Sequence, residues 1–158
     1  MFTEVAAWMA AAHTALDAAA SLSDAYVSYG PLVTYDAVEG ADLVIVGHDD
    51  DDESGLAWEF AGCWHETGAN AVHSGEAVVY LTLVSQSGGV LTMADRVTAT
   101  NTLQAAVRAV LQASPSGSAL GVSGVLWAQE SNVRAHLLPT PAGAVVRLVL
   151  SYTLAVLA

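Results

Sequence analysis

Lysine is absent from this chain, and basic side chains number four arginines in 158 residues. A surface that grips phosphates is built from clustered Lys and Arg, so tight nucleic-acid binding is excluded as the main activity. Binding to a membrane surface also needs a basic face and fails on the same ground. Cysteine occurs once, as Cys63, which excludes an internal disulfide. The segment MFTEVAAW carries Glu4 where a secretion signal needs positive charge. The most apolar run, Ala142 to Ala158, holds Arg147, Ser151 and Thr153 and is short and polar for a membrane span. No G-x-S-x-G nucleophile turn and no glycine-rich phosphate fingerprint is present. These absences leave no visible catalytic centre, in a protein expected to be made and folded in a cytoplasm.

What is present describes one folded domain over residues 1–158. Hydrophobic residues make up 54% of the chain and charged ones 13%, which rules out disorder. The net charge is −12, and it is unevenly placed. Residues 1–76 hold 14 carboxylates and no basic residue; residues 77–158 hold two carboxylates and all four arginines.

Periodicity divides the chain into elements. Residues 2 to about 20 predict a helix, with Val5, Trp8, Met9, Ala12, Leu16 and Ala19 on one stripe. Short strands are expected at Ala25–Ser28 and Asp42–Gly47, then at Leu56–Glu66, with Thr67–Gly75 as a loop. Glu76–Ser85 alternates strongly and is expected to be the central strand. Thr92–Ala113 is the second helix, capped by Thr92 or Ser87, with Asp95 in its first turn. Its apolar face is Met93, Val97, Thr100, Leu103, Val107, Val110 and Leu111. Val122–Leu138 reads as a long strand bulged near Glu130–Ser131, and Ala144–Leu157 as the last strand. The expected class is α+β, a mixed, mainly antiparallel sheet with two main helices packed on it, in the order α-β-β-β-β-α-β-β.

Three groups of residues carry potential chemistry. His48, Asp49, Asp50, Asp51, Asp52 and Glu53 form the most polar stretch. From Asp50 it follows the first half of a calcium loop through Asp52, Ser54 and Gly55, but position twelve is Ala61, where a bidentate Glu is required. A solvated acidic loop at an interface or lumen is the better reading, with weak divalent-cation binding at Asp49–Glu53 as the alternative. Cys63, His65 and His73 lack a fourth ligand at zinc spacing, and His13 with Asp17 reads as a helical pair. Trp58 and Trp64 share a strand with Glu59 and Glu66, so an exposed tryptophan there would suit an interface.

The motifs, taken in order, resemble the tail terminator proteins of long-tailed phages, of the siphovirus kind and especially those of actinobacteria. The Ala-rich helix leads to VSYG at Val27–Gly30. DLVIVGHDDDDE follows at Asp42–Glu53, then an aromatic strand and EAVVYLTLV at Glu76–Val84. The Asp95–Leu111 helix and the strands around GVLWA and GAVVRLVL complete the set. The resemblance implies a virion structural protein, not an enzyme and with no cofactor, assembled in the host cytoplasm and located at the tail neck. It implies a homo-oligomeric ring, a hexamer in family members, with the tail tube protein and a head connector or stopper protein as partners. Such a ring stops tube polymerisation and lets DNA pass without tight binding. Another head-tail connector or tail completion protein shares this texture. A small binding module with a weak cation site is the reading from a different class.

Overall fold

The structure, a computed structural model, describes residues 2–31, 40–49, 55, 57–67, 70–86, 92–112, 119–140 and 143–157. Helix α1 (Phe2–Asp17) buries Val5, Trp8, Met9, Ala12 and Leu16, the stripe that its periodicity marks. It stops before residue 20, and a short 3-10 turn (Ala20–Leu22) tucks Leu22 into the core and turns the chain into β1 (Ala25–Tyr29). Strands β2 (Asp42–Val46), β3 (Trp58–Thr67) and β4 (Asn70–Ser85) follow. Helix α2 (Met93–Leu111) leads to β5 (Val125–Thr140) and β6 (Gly143–Leu157).

The six strands form one mixed, mainly antiparallel sheet in the order β1-β2-β4-β6-β5, with β3 also paired to β4. Thus β4 is central, as its alternation predicts. Its length exceeds the expectation: Asn70–Gly75, inside the stretch read as a loop, continues the ladder down to the pair Thr67↔Asn70. The small residues and polar patterning there concealed a hairpin arm. One pairing is parallel, that of β1 with β2. About a dozen residues separate the two strands, enough for a crossover in place of a tight hairpin. β5 carries the expected bulge at Ser131, with a register shift between Glu130 and Asn132, and a second one near Leu126.

One face of the sheet is covered by both helices. Val44, Val46, Ala77, Val79, Leu81 and Leu83 point into that layer, as do Val146, Leu148, Leu150, Tyr152, Leu154 and Val156 of β6. Trp8 and Tyr152 meet at its centre, with ring centroids 5.8 Å apart. Each fully buried Leu or Val contributes roughly 1.5–3 kcal/mol relative to exposure, so this layer dominates stability. α2 presents Thr100, Leu103, Val107 and Leu111 to it, with Met93, Val97 and Val110 half-buried at the flanks. The cap is a full capping box: Thr92 Oγ1 accepts from the Asp95 N–H, and the Asp95 carboxylate accepts from the Thr92 N–H.

Arg96 departs from the apolar pattern and is nonetheless 3% exposed. Its Nε donates to the Ala144 carbonyl at 2.9 Å and its Nη2 to the Gln86 carbonyl at 3.1 Å. The guanidinium thereby ties the start of α2 to the end of β4 and the start of β6.

Candidate assembly surface

The topology separates the two charge halves laterally. β1, β2 and β3 lie on one side of β4, and β6 and β5 lie on the other. Asp24, Asp42, Asp49 and Glu59 belong to the first side; Arg134, Arg147 and one carboxylate, Glu130, which is neutralised by Arg108, belong to the second. The subunit therefore carries opposite charge on opposite margins of one sheet.

β1 and β5 end the sheet path, so each leaves one row of backbone N–H and C=O groups without a strand partner among the described residues. Large apolar side chains collect at these edges. Of the seven that are exposed among the described residues, Tyr26 and Tyr29 lie on β1, and Leu126, Val133, Leu137 and Leu138 lie on β5. The seventh, Leu157, ends β6. α2 runs over β6 and β4, so the outer half of β5 stays uncovered and Ser131–Leu138 are all exposed.

The two edges stand at the same level. Ladder register carries Ser28 through Ile45, Thr82 and Val149 to Arg134. Neighbouring rows join Tyr29 to Val133, Val27 to Ala135 and Tyr26 to His136. On the face away from the helices, Arg134 reaches across β6 and places its guanidinium 5.9 Å from the centroid of the Tyr80 ring. The Tyr80 hydroxyl donates to Glu59 of β3. Hydrogen bonding to that carboxylate, with some desolvation, pushes the phenol up to about 12.

Glu130 was not singled out by sequence, yet it links helix and edge strand. Its Oε1 accepts from Gln104 Nε2 at 3.2 Å and pairs with Arg108 of α2. The pairing raises the Arg108 pKa through the hydrogen bond and the Glu130 charge. The bulge at Ser131 is the sequence signal that was available, because it fixes which face Glu130 occupies. Tyr152 is paired with Glu130 across the ladder, and its buried hydroxyl has no hydrogen-bond partner among the described residues. Burial first, and the Glu130 charge second, raise its pKa.

The residues singled out by sequence fall as follows. His48 is buried at the end of β2, where its carbonyl accepts from Thr82 Oγ1 at 2.8 Å. Asp49 is half-buried, and Asp50, Asp51, Asp52 and Glu53 lie outside the described residues. Trp58 is half-buried and packs against the core, opposite Val79. Trp64, Cys63, His65 and His73 are placed by backbone register alone, Trp64 opposite His73 and Cys63 opposite Ser74; their side chains lie outside the described residues. His13 sets its ring edge-on to Tyr29, with centroids 6.0 Å apart.

Among the described residues no three His, Cys, Asp or Glu side chains are grouped to hold a metal ion. Nor is any described helix long and apolar enough to cross a membrane. A cleft of about 270 Å³ between α2 and the start of β1 is lined by Leu22, Ala25, Ala99, Leu103 and Ala106, with Asp24 and Asp42 at its polar side. Asp42 there is engaged as acceptor for the Gln86 N–H at 2.9 Å.

No protein-family model matches the chain, and no curated protein matches it. A solved structure does share the fold. A chain from the virion of a native gene transfer agent particle superposes with a TM-score of 0.56 at 19% identity. The match covers 95% of this chain and 94% of that one, so the α+β arrangement described above is common to both from end to end.

Proposed function

We propose that this chain is a structural, non-catalytic component of a virion, and more narrowly a tail terminator. In that role it forms a homo-oligomeric ring at the tail neck, caps the tail tube, stops its polymerisation and joins the tail to the head connector. The observation that carries the reading is end-to-end sharing of the fold with a virion chain. The ordered motifs from VSYG to GAVVRLVL support the narrower role. Two apolar edges of opposite charge, unpaired among the described residues, support assembly, because a monomer would leave them wet. A Lys-free, acid-rich chain also suits a ring through which DNA passes without being held.

Mixing purified protein with tubes grown from the tail-tube protein of the same genome tests the role. Electron microscopy of the mixture is expected to show a ring on one end of each tube and an arrest of lengthening. Tubes that lengthen unchanged, with no density at their ends, would exclude the terminator role. A copy number from light scattering reports the ring itself.

A further inference from the structure

We infer that the outer edge of β1 in one copy pairs with the outer edge of β5 in the next, so that the sheet continues from subunit to subunit. The inference rests on the ring reading and specifies its contact. Four observations carry it.

First, the exposed apolar side chains of the described residues gather on these two strands, Tyr26 and Tyr29 on one and Val133 and Leu137 among those on the other. Second, the exposed Arg134 stands on the β5 edge, while the exposed Asp24 leads into β1. Opposite margins of opposite sign favour β1 against β5 over either strand against itself, since β5 against β5 would bring two Arg134 side chains together.

Third, the strand directions fit. β1 runs with β2 and against β4, while β5 runs with β4 through two antiparallel steps. Copies related by rotation about an axis along the strands therefore bring β5 and β1 together antiparallel. Such pairs outnumber parallel ones and are slightly more stable per residue. Fourth, the five residues of β1 and Val133–Leu137 lie at one level of the sheet, as the row from Ser28 to Arg134 shows. Edge-to-edge addition at one level repeats without axial rise. A heterologous contact without rise closes into a ring when its rotation is a whole fraction of a turn, whereas one with rise gives a filament.

Site-directed cross-linking tests the contact in the full chain. Ser28→Cys and Arg134→Cys are made separately, each with Cys63→Ser so that one thiol remains. Directly opposed antiparallel residues have Cα atoms about 4.5–5.5 Å apart, within disulfide reach. Oxidation of the mixed variants is expected to give disulfide-linked dimers that neither variant gives alone. Dimers from Arg134→Cys alone would overturn the inference in favour of a symmetric β5–β5 contact. An oligomeric parent whose mixed variants form no dimer would overturn the contact and leave the ring standing. A parent that is monomeric by light scattering would overturn the ring reading itself. As a second measurement, Leu137→Asp at a 52%-exposed site is expected to stay folded, with the circular dichroism of the parent, and to elute as a monomer. An unchanged oligomer in that variant would also count against the contact.

Discussion

Gly62 and Gly75 face each other across the β3–β4 ladder. A Cβ on Gly75 would lie 2.5 Å from the Ala61 carbonyl oxygen and 2.7 Å from Cζ of Phe60. The aromatic ring thus occupies the space that side chains would fill, an arrangement by which an aromatic residue compensates for strand glycines. Beyond this pair β4 continues to Asn70 with β3 as its antiparallel partner, past the last β6 partner at Ser74. The glycine pair is the foot of a two-stranded arm. Gly75→Ala places its methyl against backbone, which cannot swing aside, and is expected to cost about 1–3 kcal/mol by overpacking. Denaturant unfolding of the variant checks this; an unchanged midpoint would mean that the ladder opens freely at this point. Phe60→Ala should lower stability as well and should relieve part of the Gly75→Ala penalty when the two are combined.

Arg96 is the polar tie within an otherwise apolar layer. Replacing it with Met keeps the stem and removes two charge-assisted donors, leaving the Ala144 and Gln86 carbonyls without them. A loss of about 2–3 kcal/mol is expected. Hydrogen exchange should show where it falls, with faster exchange at the start of α2 and little change around Tyr152. Uniform acceleration across the sheet would instead mean that Arg96 holds the whole fold.

The Tyr80–Glu59 bond gives a pH dependence of defined sign. The Tyr80 phenol titrates near 12 when folded and near the ordinary value of 10 when unfolded. Its contribution to stability is complete below about pH 10 and falls as the pH rises towards 12, because the unfolded chain then releases the proton first. Tyr80 is half-buried and its bond to Glu59 lies at an exposed site, so the effect is small and direct titration is the clearer readout. Ultraviolet titration of the folded protein is expected to show a tyrosine ionising near pH 12 that moves towards 10 in Glu59→Gln. Buried Tyr152 ionises later still and is unaffected by the change; if the component near pH 12 keeps its position and amplitude in that variant, the carboxylate is not its cause.

Much of the fold was legible because the core is periodic. The stripe from Val5 to Leu16, the alternation of β6 from Val146 to Val156 and the face from Thr100 to Leu111 are all buried as their spacing demands. Position 96 was not legible: an Arg in a helix reads as solvated, and carbonyls brought to it from distant parts of the chain make burial tolerable. The β3–β4 arm was hidden because its glycines and polar residues look like a turn, and cross-strand pairing overrides that local signal. The edges proposed for assembly were out of reach for a different reason. Nothing in Tyr26 or Leu137 alone marks an edge strand; the order of strands in the sheet does.

The acidic run bears on assembly through charge alone. Five consecutive carboxylates from Asp49 to Glu53 repel one another and favour water over a dry contact. In a six-membered ring they would bring about thirty negative charges onto one belt. At a wet surface or lumen salt screens such a belt within about 8 Å. Inside a subunit contact it would require bound cations to offset desolvation and repulsion. We place the run at the surface or lumen. Substituting Asp50, Asp51 and Asp52 by Asn leaves the half-buried Asp49 in place and removes three charges per copy. Rings are then expected to form as readily as in the parent or more so, with no dependence on magnesium or calcium. Light scattering across a cation titration, with and without EDTA, measures this. Assembly that is lost in the variant and is EDTA-sensitive in the parent would instead put a cation bridge between subunits at this run.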